Sequence, residues 1–258
     1  MSNIVTIDDS MSGSFYPGGN GGLVMRDFKS YPQGCYAGAP KFDESFLIPE
    51  KDIPDLILQQ EADKSSLQHV GDRIGIKALD QNGNGYCWSY STTMAAMLVE
   101  ARENKPHVPL SGHMPACIIK GYRDEGGWNA QSLEFAVKKG IASQKLWPQG
   151  SMSRSNDTPE MWADAETHKV TEFWDLSERG DEVRHQLASL LIMNIPVMVD
   201  FNWWGHSVCA VRLMKMDPFT IRIRNSWSET WGDRGYGDLV GNKAIPNGAA
   251  APRASKAA

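Results

Sequence analysis

The sequence has 258 residues, of which 41% are hydrophobic and 22% are charged, and its formal net charge is −5. These values are typical of a globular protein with a packed core, arranged as one large domain or two small ones. The charge, without a long run of Lys or Arg, argues against binding to nucleic acid or to an anionic membrane surface. No stretch reaches the roughly 18 apolar residues of a membrane span, and the start of the chain lacks the pattern of a secretory signal.

The cysteines are spread along the chain without a CxxC pair, at Cys35, Cys87, Cys117 and Cys209. This usage differs from a disulfide framework, so the sequence predicts free thiols and a cytoplasmic or other reducing compartment. The segments HMPAC and HSVC each offer one histidine and one cysteine, whereas structural zinc sites use four ligands. We therefore expect no metal site, and no pattern indicates a cofactor.

Three regions of different composition divide the chain. Residues 1–45 are rich in Gly, Ser, Pro and Tyr without helical or strand periodicity, which predicts an extended arm ordered by contacts with the rest of the protein. Residues 46–240 form the predicted folded domain, with a helical lobe at about 75–165 and a β-rich lobe at about 166–240. The low-complexity residues 241–258 predict a flexible tail rich in Ala and Pro.

The predicted helices precede the predicted strands. Apolar residues at steps of three and four predict helices at 88–104, 130–140 and 181–194. Short β-branched and apolar runs then predict strands at 195–201, 206–215 and 219–225. This order predicts an α+β fold of two lobes.

Cys87 follows the glycine-rich turn QNGNGYC and lies at the predicted start of the first long helix. Unpaired N–H groups and the helix dipole lower a thiol pKa at such a position and favour a nucleophilic thiolate, although an isolated cysteine there is more often a packing residue. His206 begins an apolar strand, and Asn225 ends another before a segment rich in Trp and Gly. Candidates for the nucleophile, the base and the orienting group thus follow one another along the chain in that order, as Cys87, His206 and Asn225.

These motifs resemble those of the papain-like cysteine peptidases. QNGNGYCWSYS resembles that family's Gln followed six residues later by Cys-Trp, GHSVCAV resembles its His-led strand, and RNSWSETWGDRGYG resembles its Asn-Ser-Trp, Trp-Gly, Gly-Tyr segment. The similarity covers roughly residues 75–240. It implies a papain-like two-lobed fold, with a helical N-terminal lobe, an antiparallel β-rich C-terminal lobe and the active site in the cleft between them.

The resemblance also implies roles for individual residues. Cys87 would be the nucleophile, His206 its base and later the acid, and Asn225 the residue that orients the imidazole. The Gln81 side chain and the Cys87 backbone N–H would form the oxyanion hole. Trp227 and Trp231 would shield the hydrogen bond between His206 and Asn225 from water.

Substrate contacts are implied more weakly. Gly126 and Gly127 resemble a Gly-Gly pair that hydrogen-bonds an extended peptide through its backbone, and the alternative is an ordinary turn. Trp128 and Trp204 either narrow the pocket for the second residue before the cut or belong to the core.

The sequence departs from the family in three places. The paired cysteines are missing, because Tyr86 precedes Cys87 and DEGGW has no cysteine. Only ten positions separate Pro196 from His206, which predicts a more open or differently shaped specificity pocket. The residues before Gln81 do not resemble a helical prosegment. The arm is therefore an inhibitory strand across the cleft, a docking arm for an assembly partner, or a cleaved leader.

The resemblance implies a cysteine peptidase that hydrolyses peptides or proteins through a Cys-His-Asn triad and a thioester acyl-enzyme. A second hypothesis is a structural or assembly protein that retains the scaffold, with at most self-processing activity. The extended arm and the Ala-rich tail suit this alternative. A third is a cysteine amidase acting on cell-wall peptides or acyl-amides, a class that lacks the Asn-Ser-Trp, Trp-Gly segment.

Overall fold

The computed structural model describes residues 4–11, 21–33 and 40–256; Cys35, the rest of the predicted arm and the last two residues of the predicted tail lie outside this part. The described helices are α1 (Ile53–Ala62), α2 (Leu67–Ile74), α3 (Cys87–Arg102), α4 (His113–Ile119), α5 (Asn129–Lys139), α6 (Pro159–Thr167) and α7 (Gly180–Ile192). The described strands are β1 (Val5–Ile7), β2 (Val170–Asp175), β3 (Val197–Phe201), β4 (His206–Met216), β5 (Phe219–Arg224), β6 (Tyr236–Val240) and β7 (Gly248–Ser255). No helix among these is long and apolar enough to cross a membrane.

The seven strands form one mixed sheet in the order β1-β6-β5-β4-β3-β7-β2. Only the pair β1 and β6 is parallel, and the other neighbours are antiparallel. Residues of β3 and the first eight of β4 are buried, so these central strands are nearly continuous apolar runs. The predicted α+β class is confirmed.

Two hydrophobic cores lie on opposite faces of the sheet. One joins α3 to sheet residues such as Met198 and Ala250. The other packs α7 and the start of α1 against residues such as Val199 and Ala249. Because successive side chains of a strand point to opposite faces, neighbouring residues of β3 and β7 serve different cores. The helical lobe is therefore joined to the sheet by α3, whose N-terminus lies near the start of β4.

The predicted helices at 88–104, 130–140 and 181–194 correspond to α3, α5 and α7, with bounds that differ by one or two residues. Helix α3 is not amphipathic, since every residue from Cys87 to Ala101 is buried. A helix buried on all sides lies inside a protein, as this one does between the sheet and α5. Gly140 ends α5 with a φ of 78°, a backbone conformation that glycine adopts without strain.

The predicted flexible tail is wrong for residues 248–255. They form β7, which pairs with β3 on one side and β2 on the other. Ala250 faces the core that contains α3, while Ala249 and Ala251 face the opposite core. Small side chains fit this tightly packed central position, and their low-complexity composition conceals the alternation of a buried strand.

The predicted domain bounds also need correction. Residues 5–7 of the predicted arm form β1, which extends the sheet next to β6. The Asp9 carboxylate then accepts hydrogen bonds from the backbone N–H groups of Asn242 and Lys243, at 3.1 and 3.3 Å. The β-rich lobe thus begins with the first described residues and continues to Ser255, beyond the predicted end at 240.

A buried ion pair joins α3 to the end of α6 and predicts a pH-dependent stability. Burial lowers the pKa of His168, but the hydrogen bond and charge of Glu100, at 2.8 Å, outweigh this effect and raise the pKa above 6.5. The pair therefore stabilises the fold fully below pH 6.5, and its contribution is lost as pH rises through the folded-state pKa. We expect the free energy of unfolding to fall by about 1 kcal/mol over this range.

Urea unfolding at pH 6 and pH 8.5 checks this expectation. His168→Gln should remove the difference between the two pH values, whereas His185→Gln should preserve it. An unchanged difference in His168→Gln would show that other groups carry the pH dependence.

Candidate active site

The nucleophile candidate Cys87 is the first residue of α3 and is completely buried. The backbone N–H groups of Ser207, of Trp88 and of Cys87 itself favour its thiolate form, with Ser207 having the largest effect of the three. The hydroxyl oxygens of Ser91 and Ser207 lie 2.9 Å apart and join α3 to β4. The sulfur is thus placed beside the residue that directly follows His206.

His206 and Asn225 lie at the start of β4 and just after β5. His206 Nε2 is 2.8 Å from Asn225 Oδ1, and the backbone N–H of Ser226 donates to the same oxygen at 2.8 Å. Because an N–H donor identifies this atom as the amide oxygen, the imidazole must carry its proton on Nε2. In this tautomer Nδ1 is the acceptor nitrogen of the ring.

Four tryptophans surround this hydrogen bond. The Trp227 ring lies 4.6 Å from the His206 ring at an interplanar angle of 30°, and the Trp204 ring lies 4.8 Å away at 65°. Trp231 and Trp203 extend the cluster by packing against Trp227 and Trp204. Exclusion of water strengthens a hydrogen bond, so the cluster holds the imidazole in one orientation.

Gln81 is held by residues of both lobes. Its Oε1 accepts a hydrogen bond from Ser226 Oγ at 2.6 Å, and its Nε2 donates to the Asn84 carbonyl at 2.6 Å. Its backbone N–H donates to the Ser226 carbonyl at 2.9 Å. Ser226 therefore fixes both Gln81 and Asn225.

The turn before Cys87 is shaped by two glycines with different roles. Gly83 has a φ of 78°, which allows the tight turn that the sequence predicts. Gly85 does not have a positive φ, but its backbone lies against the arm, since a Cβ at Gly22 would lie 2.3 Å from the Gly85 carbonyl oxygen.

Hydrogen bonds connect the segments that lack the family's paired cysteines. The Tyr86 hydroxyl donates to the Arg123 carbonyl at 2.9 Å, and the Gly85 N–H donates to Asp124 Oδ1 at 2.7 Å. The described cysteines Cys87, Cys117 and Cys209 are free and buried. These contacts fasten the loop before Gly126 to the start of α3 without a disulfide.

The arm passes over this site. The Leu23 N–H donates to the Gly205 carbonyl at 3.2 Å, the Val24 N–H donates to the Gly127 carbonyl at 2.9 Å, and the Gly127 N–H donates to the Gly22 carbonyl at 2.9 Å. Only glycine fits at position 21 of the arm, because a Cβ at Gly21 would lie 1.8 Å from the Gly205 carbonyl oxygen. The arm therefore covers the cleft with bare backbone.

Burial under the arm sets the protonation states of the pair. It raises the pKa of the Cys87 thiol, against the N–H donors at the helix start, and lowers the pKa of His206 to about 4, against Asn225 and the backbone of Gly21. Both groups are thus neutral at pH 7. The expected lowering of the thiol pKa by the helix is wrong for this covered form, since desolvation outweighs the helix terminus.

The substrate-contact candidates separate into two groups. Gly126 and Gly127 lie under the arm, and a Cβ at Gly126 would come 2.7 Å from the Gly22 carbonyl oxygen. Trp128 is 6% exposed and packs edge-on against Tyr31 of the arm at 5.0 Å. Trp204 instead belongs to the tryptophan cluster around His206, which favours its core alternative.

Several residues at the site have no clear signal in the sequence. Ser226 and Ser207 directly follow predicted catalytic residues, so their adjacency is a usable hint. Asp200, near Cys87 in β3, interrupts an apolar strand, which is a second hint. Asn84 acts through its backbone carbonyl, which no side-chain pattern reveals. Among the described residues, no group of three or more His, Cys, Asp and Glu is placed to hold a metal ion.

Comparisons with known proteins agree with the geometry. The chain is 23% identical to zingipain-1 of Zingiber officinale over 192 residues, which are 66% of this chain and 84% of the relative. It is also 23% identical to cathepsin L 2 of Paramecium tetraurelia over 191 residues, 65% of this chain and 58% of that relative. Xylellain, a cysteine protease from Xylella fastidiosa, is 15% identical, has a TM-score of 0.63 and is covered completely, over 95% of this chain. No family model matches the sequence.

The two-lobed fold and these relatives define the class as a cysteine-type peptidase, a hydrolase. The chain is similar to papain-like cysteine peptidases at low identity, and the predicted papain-like fold is confirmed.

Proposed function

We propose that the chain hydrolyses peptide bonds of peptides or proteins with Cys87 as nucleophile, His206 as base and acid, and Asn225 as orienting residue. The observation that carries this proposal is the 2.9 Å hydrogen bond between Ser91, one turn after Cys87 in α3, and Ser207, directly after His206. It brings the first helix of one lobe to the histidine of the other. Nucleophile and base from different elements then face a common cleft.

The proposed reaction has two stages. Transfer of the thiol proton to His206 Nδ1 gives a thiolate, which attacks the carbonyl carbon of the substrate to form the C–S bond. The Gln81 Nε2 and Cys87 N–H groups stabilise the oxyanion, and removing one such donor typically costs about 2.7–4 kcal/mol. The C–N bond breaks as His206 protonates the leaving amine.

Hydrolysis of the thioester reverses these roles. Water gives a proton to His206 as its oxygen attacks the acyl carbon, and the C–S bond breaks to release the carboxylic acid and the thiolate. Asn225 keeps the Nε2 proton in place through both stages, so Nδ1 always faces the reacting atoms.

We further propose that the arm is an intramolecular inhibitor. Its backbone hydrogen bonds to Gly127 and Gly205 use groups along the cleft wall, and its residues Gly21 and Gly22 lie where a substrate must approach Cys87. Of the three roles open for the arm, these contacts favour the inhibitory strand. The free thiols of the described cysteines support a reducing compartment as the place of action.

Incubation with an unmodified peptide mixture, followed by mass spectrometry, tests the peptidase. We expect internal cleavages and a bell-shaped pH dependence of kcat/KM, whose limbs report the coupled Cys87–His206 pair. A flat profile between pH 4 and pH 9 would contradict this pair. Absence of cleavage from a chain whose cleft is open would favour a structural or assembly protein.

A further inference from the structure

Two buried acidic side chains lie on one face of the sheet at the cleft. Asp200 of β3 is paired with Gly248 of β7, and Asp175 of β2 is paired with Ala250 of the same strand. Paired residues and residues two apart project to the same face, so both carboxylates point to the α3 side. The region around these two carboxylates, with the small residues Gly248 and Ala250 between them, is called here the acidic pocket.

A guanidinium of the arm reaches this pocket. Arg26 donates from both terminal nitrogens to Asp175, with both distances 2.8 Å, and its side chain is 6% exposed. Its Cζ lies 5.5 Å from the centre of the Trp128 ring, and its charge also acts on Asp200. The bidentate pair and the aromatic wall are features that select a guanidinium over an ammonium group.

Asp200 retains hydrogen-bonding capacity in the pocket. Its Oδ2 accepts a long hydrogen bond from the Asn129 N–H at 3.5 Å, and its Oδ1 accepts none of normal geometry from the residues that the structure describes. Burial raises the pKa of this carboxyl to about 7, against Ser207, Asn129 and Arg26. A buried carboxylate with an unused oxygen is costly unless a donor is bound.

The wall of the acidic pocket is also the wall of the cleft. Gly127 binds the arm through its backbone, Trp128 faces Arg26, and the Asn129 N–H approaches Asp200. On the other side, Ser207 is paired with Asp200 and contacts the Cys87 sulfur. In the arm, residues 22–24 pair with Gly127 and Arg26 follows to reach Asp175, so a peptide bound in the place of the arm passes Gly127 and the acidic pocket in turn.

We propose that the acidic pocket is the specificity subsite of the peptidase and takes a basic side chain, arginine above lysine, from the substrate segment bound along Gly127. Arg26 occupies it in the arm-covered form as an internal substitute. This inference rests on the proposed function for its biological meaning, but the pocket itself is tested by binding.

The binding test uses the full chain with Cys87→Ala, Gly21→Val and Arg26→Ala, which prevents turnover, opens the cleft and empties the pocket. Its ligands are acetylated alanine tetrapeptides that carry Arg, Lys, Leu or Glu at one position. We expect the best Arg peptide to bind at least about tenfold more tightly than its Leu counterpart. Asp200→Asn should abolish that ratio, and Asp63→Asn, an exposed change in the same background, should preserve it.

A second measurement needs no peptide. In the otherwise unchanged full chain, Arg26→Ala and Asp200→Asn should each speed the labelling of Cys87 by a thiol-directed epoxysuccinyl probe, and the double variant should add little to either. Equal binding of Arg and Leu peptides together with additive labelling rates would overturn the proposal. Cleavage without Arg preference would refute the subsite alone, whereas selective Arg binding without cleavage would refute only the peptidase.

Discussion

Replacement of Cys87 by alanine is expected to abolish peptide hydrolysis, with a loss of about 10⁶-fold in kcat. In the proposed mechanism this residue supplies both the nucleophilic sulfur and the bond that holds the acyl group, and no other described cysteine lies at the start of α3. Turnover of the best peptide from the mixture, measured in a chain with an open cleft, checks the expectation. The epoxysuccinyl label should disappear with the same substitution.

Matched variants separate chemistry from folding. Cys209→Ala removes another completely buried thiol, in β4, and should preserve both turnover and labelling. Asn225→Ala should slow turnover less than Cys87→Ala, because Asn225 orients the imidazole and does not react. Residual activity of Cys87→Ala near that of the unchanged chain would exclude the acyl-enzyme mechanism.

Gly21→Val is expected to activate the peptidase and to raise the turnover of peptides by about ten- to hundredfold. The new Cβ would lie 1.8 Å from the Gly205 carbonyl oxygen, which the backbone of β4 cannot yield without moving His206. The arm must therefore leave the cleft, and Cys87 and His206 regain water. Initial rates of peptide cleavage and of probe labelling measure the change.

Met25→Ala serves as the control within the same segment, because Met25 is 66% exposed and its loss should leave the covered form intact. Equal rates for Gly21→Val and the unchanged chain would show that the arm does not limit access. Slower rates, with an unchanged unfolding transition, would assign the arm a supporting role at the site.

The sequence predicts the parts of the site that depend on local pattern. Cys87 at a helix start, His206 at a strand start and Asn225 at a strand end are visible because each element has its own periodicity, and the fold class follows from the order of these elements. The resemblance to the family then gives Gln81 and Trp227 their expected roles, which remain predictions.

The parts that the sequence did not reveal depend on contacts between distant residues. Strand β7 has a composition of small residues without alternation, so its burial is decided by the neighbours β3 and β2. The path of Gly21 and Gly22 depends on two narrow backbone contacts, and neither has a periodic signal. The pairing of Arg26 with Asp175, 149 residues later, likewise requires the assembled sheet.

The position of β7 has a consequence for biosynthesis. Ribosomes deliver β3 and β2 before they reach Ser255, so the gap between these strands stays open until residues 248–255 arrive. Pairing between segments so far apart in the chain is slow to form. A growing polypeptide therefore carries Cys87 and His206 for some time without the strand that lies between Asp200 and Asp175, and we expect the proposed hydrolytic activity to appear only after translation has passed β7.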